Sequence, residues 1–81
     1  MNALQKYINF SKIGFVVWSG GKPTLSHVQM AARNADAGYP VSAGFVSFLN
    51  GKPHCAGESL TLGLEAHSDD SELLAKQFGL V

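Results

Sequence analysis

The stretch Val41 to Ser59, VSAGFVSFLNGKPHCAGES, decides the fold. Asn50-Gly51 separates two extended runs, and this dipeptide suits a type I′ turn, whose two central residues both take positive φ. Leu49 and Lys52 then flank a two-residue hairpin loop. Counting outward sets Phe48 opposite Pro53, Ser47 opposite His54, Val46 opposite Cys55, Phe45 opposite Ala56 and Gly44 opposite Gly57, with Glu58 across from Ala43. In this register Phe48 and Val46 point to one face of the sheet while Phe45 and Ala43 point to the other, so both faces carry apolar groups. Pro53 has no amide to offer a further neighbour, which makes the second strand of the hairpin a sheet edge near that residue.

Upstream, Lys12 to Ser19 reads as a strand on its β-branched and aromatic run Phe15-Val16-Val17-Trp18. Its apolar side chains also fall on both faces, as in a central strand or one buried at an interface. Gly20-Gly21 and Pro23 break it. Ser26 then opens a capping box with Gln29, Leu25 can staple to Met30, and the spacing predicts a helix from His27 to Ala37 that stops at Gly38, before Pro40. Its apolar stripe reads as Val28, Ala31, Ala32 and Ala35. Residues 1–11 stay open: Leu4, Tyr7 and Ile8 fit one helical face, yet Tyr7 to Phe10 also suits an extended chain.

Downstream, Leu60, Leu62 and Leu64 alternate with Thr61, Gly63 and Glu65, which predicts another short strand, with Gly57 and Gly63 permitting bends. His67 to Asp70 reads as a turn. Asp69 with Glu72 resembles a capping box for a helix Asp69 to Phe78, with Leu73, Leu74 and Phe78 as its apolar face and Gly79 as its carboxy-terminal cap. The reading is one α+β domain over residues 1–81: a small, mostly antiparallel sheet of three or four strands with two helices, in the order β-α-β-β-(β)-α.

Composition then says what such a domain lacks. Apolar residues make up 46% and charged residues 15%, so the chain is far from a disordered composition. Near this size a single core supplies only roughly 3–5 kcal/mol, and small domains often add a disulfide, a metal or a partner subunit. The single cysteine excludes an internal disulfide, and the Cys and His spacings make no zinc finger. Self-association is the remaining device. The expectation is a homodimer formed through apolar sheet residues, with Phe45, Val46, Phe48 and Trp18 as candidate interface residues.

Charge is balanced overall but unevenly placed. Residues 1–57 carry Lys6, Lys12, Lys22, Arg33 and Lys52 against Asp36, while residues 58–81 carry Glu58, Glu65, Asp69, Asp70 and Glu72 against Lys76, giving +4 and −4. Scattered lysines with one arginine fall short of a phosphate-binding stripe, so nucleic acid is not the expected partner, and the segregation reads as complementarity within or between copies. There is no secretory leader pattern and no apolar run near about 20 residues, which predicts a cytoplasmic protein with no membrane partner, in keeping with a free Cys55.

Ser42-Ala43-Gly44-Phe45, then Cys55-x-Gly57-Glu58-Ser59, then Leu62-Gly63-Leu64, then Asp69-Asp70 before Leu73-Leu74 form a combination that resembles small uncharacterised proteins of bacterial mobile DNA, such as integron cassettes and phages. The likeness covers the carboxy-terminal half. It implies a short accessory protein and carries no activity or site residue with it.

Candidate chemistry is sparse. Cys55 beside His54 invites a nucleophilic thiol, but neighbours in a strand point to opposite faces, so they form no dyad, while His67 could approach from elsewhere. Cys55, Glu58, Ser59 and His67 are the residues a reactive or ligand-binding site would use. Ser19-Gly20-Gly21-Lys22 lacks the spacing of a phosphate loop. No catalytic, cofactor-binding or metal-binding residue is assigned. The expected function is therefore a small non-enzymatic binding or adaptor protein with an unknown protein partner. A small enzyme or ligand-binding protein using a pocket near Cys55 and Glu58 is the alternative, and nucleic-acid binding comes third.

Overall fold

The computed structural model describes residues 4–80. It is an α+β fold with the strands β1 (Gln5–Phe10), β2 (Gly14–Ser19), β3 (Pro40–Leu49), β4 (Lys52–Ala56), β5 (Glu58–Ser59) and β6 (Leu64–Glu65) and the helices α1 (His27–Arg33) and α2 (Asp70–Gln77). Four strands form an antiparallel sheet in the order β2-β1-β3-β4, and β5 and β6 form a separate two-stranded ribbon.

The β3–β4 hairpin keeps the register set by its turn. Asn50 and Gly51 both have positive φ, 54° and 76°, and the ladder runs from Leu49↔Lys52 to Phe45↔Ala56. It ends there: Gly57 turns at φ 82° and sends Glu58 into the ribbon opposite Glu65, so neither a Gly44–Gly57 pair nor a Glu58–Ala43 pair forms. β4 is a sheet edge, as Pro53 requires.

The segment left open is a strand at the centre of the sheet. β1 pairs β2 on one side and β3 on the other, and residues 1–3 of that segment lie outside the described residues. Tyr7 and Ile8 are both fully buried, one on each face, so the strand has no polar side to give it a two-residue period. β2 is shorter than predicted, because residues 11–13 form the turn out of β1. Lys12 and Ile13 both donate their amides to the Ala37 carbonyl, at 3.0 and 3.2 Å.

The Ser26 capping box is present in full, with the Gln29 amide 3.2 Å from Ser26 Oγ and the Ser26 amide 2.9 Å from Gln29 Oε1. α1 nevertheless ends at Arg33. Asn34 donates its side-chain amide to the Met30 carbonyl at 2.9 Å, and a 3-10 turn over Ala35–Ala37 replaces the last predicted turn. The predicted stripe is also rotated: Val28, Ala32 and Ala35 are exposed, while His27, Met30 and Ala31 face the sheet. The cause is His27, whose ring Nε2 donates to the Gly44 carbonyl at 2.8 Å and so sets which side of the helix lies down.

Leucine alternation also misleads. Residues 60–63 form the tight loop between β5 and β6, Leu60 is 84% exposed, and only Leu62 and Leu64 pack inward. Asp69 makes no capping bond at α2. Asp70 instead braces the turn before the helix: its Oδ2 accepts the His67 amide at 2.9 Å while its own amide donates to the His67 carbonyl at 3.1 Å. The carboxyl end of α2 follows its sequence, with Gly79 at φ 69° and the Leu80 amide donating to Ala75 and the Gly79 amide to Lys76, a Schellman closure. Of its predicted apolar face only Leu74 is fully buried, joined by Ala75, with Leu73 and Phe78 largely exposed.

The chain covers both faces of the sheet with its own elements. α2 lays Leu74 on Tyr7, Phe15 and Val46, flanked by Val17, Phe48, Cys55 and Ala66. On the opposite face α1, the 3-10 turn and the ribbon enclose Ile8, Phe10, Ala37 and Ala43, flanked by Val16, Met30, Leu62 and Leu64. The apolar demand of the two faces is therefore met largely from within, by elements whose packing sides periodicity misassigned. α2 also reaches the two outer strands: Ser71 Oγ accepts the Cys55 amide at 2.8 Å, and the Gln77 side-chain amide pairs with both the amide and the carbonyl of Phe15, at 2.8 and 3.1 Å.

Candidate functional site

Two surface features meet along β5. The first starts from the sheet register. Lys6 on β1 has Trp18 as its partner on β2 and Phe45 as its partner on β3, so the three side chains form one row across the sheet. The Lys6 ammonium donates to the Leu25 carbonyl at 3.1 Å, and the Trp18 indole donates to the same carbonyl at 3.0 Å, which fixes the segment between β2 and α1 above them. Below Leu25, the His27 ring stacks edge-on to Trp18 and to Phe45, both at 5.4 Å between centroids. Burial pushes the His27 pKa down, the Gly44 carbonyl opposes that shift and the Lys6 charge adds to it, so the ring is neutral at pH 7.

Two depressions share Lys6 and Phe45 of this row. One of about 750 Å³ is lined by Lys6, Gly20, Lys22, Pro23, Thr24 and Phe45. The other, of about 230 Å³, shares Lys6 and Phe45 and adds His27, Glu58 and Leu60 among its walls. Trp18 and Phe45, two of the four predicted interface residues, thus come together beside Lys6. Phe48 and Val46 lie on the other face under α2, where Val46 is fully buried and offers no surface.

The second feature is a cleft of about 540 Å³ walled by Cys55, Glu58, Glu65 and His67 together with Ala56, Gly57, Ala66 and Ser68. Three of the four residues predicted for a reactive or ligand site therefore share one opening. Ser59 does not join them: it is buried on the other side of the ribbon, and its hydroxyl accepts the Leu62 amide at 3.2 Å. Glu58 and Glu65 stand directly opposite each other across the ribbon, an arrangement that costs stability by like-charge repulsion.

A buried polar pair lies beneath the cleft. Tyr7 Oη donates to Asp70 Oδ2 at 2.5 Å with both residues fully buried, and Asp70 Oδ1 has no hydrogen-bond partner among the described residues. Burial first, and the Asp70 carboxylate second, hold the Tyr7 hydroxyl protonated far above its usual range. Burial likewise pushes the Cys55 thiol up, against the Ser71 side chain, with the Asp70 charge adding to the rise. A thiol kept protonated beside a carboxylate is a poor nucleophile, and its packing against Val46 and Tyr7 makes it part of the core. His54 is exposed on the opposite face of β4 from Cys55. Oxygen and nitrogen atoms of His67, Asp69 and Asp70 lie within 4.8 Å of one another, with His67 and Asp69 exposed.

Among the described residues no helix is long and apolar enough to cross a membrane. Sequence reasoning missed Lys6, Lys22, Glu65, Tyr7 and Asp70. Glu65 was legible as the residue facing Glu58 once Gly63 is read as a turn, whereas the Tyr7–Asp70 contact spans 63 residues and leaves no local trace. No protein family, no curated protein and no solved structure matches this chain.

Proposed function

We propose that the chain is a small non-enzymatic binding protein that acts through protein contacts and works as a homodimer, with an accessory role of the kind implied by its resemblance to small proteins of bacterial mobile DNA. The observation that carries this reading is Leu60. A leucine 84% exposed at the tip of the ribbon stands on the rim of a depression of about 230 Å³ that also presents Phe45 and His27. An apolar anchor beside an apolar-floored depression on one surface is what a two-fold interface needs, because each copy then supplies both the knob and the hole. Sheet continuation is the weaker route. The outward amide of Cys55 is taken by Ser71, that of Phe15 by Gln77, and Pro53 has none.

Catalysis by Cys55 is disfavoured by the raised thiol, and the cytoplasm is the matching compartment for a free cysteine. The test is light-scattering mass at micromolar concentration. Wild-type protein should weigh as two chains, and Leu60→Ser should weigh as one with an unchanged circular-dichroism spectrum. A wild-type mass of one chain ends this reading.

A further inference from the structure

We infer that in this homodimer the Lys6–Lys22 depression of each copy receives Glu58 and Glu65 of the other. The inference rests on the homodimer reading and adds the chemistry of the contact. The unpaired charges around the depression that Leu60 rims lead to it.

Lys6 is half-buried on a central strand, and its ammonium has one protein acceptor, the Leu25 carbonyl. An ammonium carries three donors, and a charge partly withdrawn from water is costly without a counter-charge. Among the described residues the only ion pair within 4.0 Å joins Lys76 to Glu72, so neither Lys6 nor Lys22, which lines the same depression, has a carboxylate partner. The opposite imbalance lies one strand away. Glu58 and Glu65 face each other across a ribbon of two residues per strand, and among the described residues no cation lies within ion-pair distance of either. Each patch lacks what the other has.

Their placement decides the occupant. Glu58 walls the 540 Å³ cleft and also the 230 Å³ depression that Lys6 shares, so the negative and positive patches abut with Phe45 and Leu60 between them. A two-fold axis through that boundary lays each lysine pair on the other copy's glutamate pair, and the contact is made twice. A free anion such as phosphate would answer the lysines and leave the glutamates in conflict, so a second copy accounts for more of the surface.

Reciprocal charge exchange tests this on exposed residues. Lys22→Glu and Glu65→Lys each place like charges across the proposed contact, and each should raise the dimer dissociation constant at least about tenfold at low salt. An equimolar mixture restores both contacts and should recover the wild-type constant as a heterodimer, measured by light scattering with circular dichroism as the control for folding. The Lys6→Glu and Glu58→Lys pair repeats the test at the inner positions. A wild-type monomer would remove the homodimer and this inference together. Wild-type dimers that dissociate on Leu60→Ser but are indifferent to both charge reversals would leave the homodimer standing and overturn the inference. Two weakened variants that do not recover on mixing would overturn it as well.

Discussion

Tyr7→Phe removes one oxygen atom and leaves the ring in place, yet it should be among the most damaging conservative changes in this chain. Tyr7 and Asp70 are both fully buried, and the hydroxyl donates to Asp70 Oδ2 at 2.5 Å. Asp70 Oδ1 has no partner among the described residues, so without the hydroxyl the carboxylate keeps only the His67 amide there, at 2.9 Å. A hydrogen bond to a charged group contributes about 1.5–3 kcal/mol, and a buried acceptor left short of donors sits toward the upper part of that range. The expected loss is about 2–3 kcal/mol, a large share of the roughly 3–5 kcal/mol that a single core of this size supplies. In thermal terms the midpoint should fall by roughly 10–20 °C. Urea melts followed by circular dichroism measure the change, with Tyr39→Phe, at a side chain 71% exposed, as the neutral control. A double-mutant cycle with Asp70→Asn should return a coupling of about 1–2 kcal/mol. If Tyr7→Phe melts within about 0.5 kcal/mol of wild type, as an ordinary surface change does, the buried pair is not what anchors α2 to the sheet and the reasoning fails.

The His27 pKa is lowered in the folded chain, so the unfolded chain binds more protons below the ordinary histidine value. Stability should be complete above about pH 6.5 and decline as pH falls through the folded value, with a slope of at most about 1.4 kcal/mol per pH unit; urea melts from pH 7 to 5 give the slope, and His27→Phe should flatten it. Because burial raises the Cys55 pKa, a thiol-reactive probe at neutral pH should label the native chain more slowly than the urea-unfolded chain, and equal or faster labelling would restore the reactive-thiol reading.

Local chemistry was legible and long-range chemistry was not. Asn50-Gly51, the Ser26 capping box and the Gly79 closure each act within a few residues, and all three form as their sequences require. β1 escaped because both of its faces are buried, which erases the alternation that marks a half-exposed strand. The leucine alternation from Leu60 to Leu64 imitated a strand, since Gly63 at φ 68° is a turn residue that a period-two count passes over. α1 starts at His27 as its capping box requires, but it ends at Arg33 rather than Ala37 and lies on another side than its alanine stripe, with His27 bonded to the Gly44 carbonyl. The same gap hid the site. The Trp18–Lys6–Phe45 row exists only once β1 lies between β2 and β3, and the Glu58–Glu65 pair only once the ribbon folds on itself. Cys55, Glu58 and His67 do share a cleft, as their nearness in sequence suggested, although the thiol's surroundings suit packing better than reaction.

Ser71 and Gln77 give α2 a second effect besides covering Tyr7 and Val46. One short helix occupies outward backbone groups on both flanks of the sheet at once, through the Cys55 amide on one side and the Phe15 amide and carbonyl on the other. If α2 lifts away, the sheet gains two open borders and an uncovered apolar face in the same event. Further chains can then add strand by strand, the geometry from which fibres grow. Substitutions that loosen α2 should therefore lower solubility before they abolish secondary structure, and heating past the midpoint should precipitate the protein rather than leave it free to refold. The handful of side chains that dock this helix thus governs colloidal behaviour as well as folding.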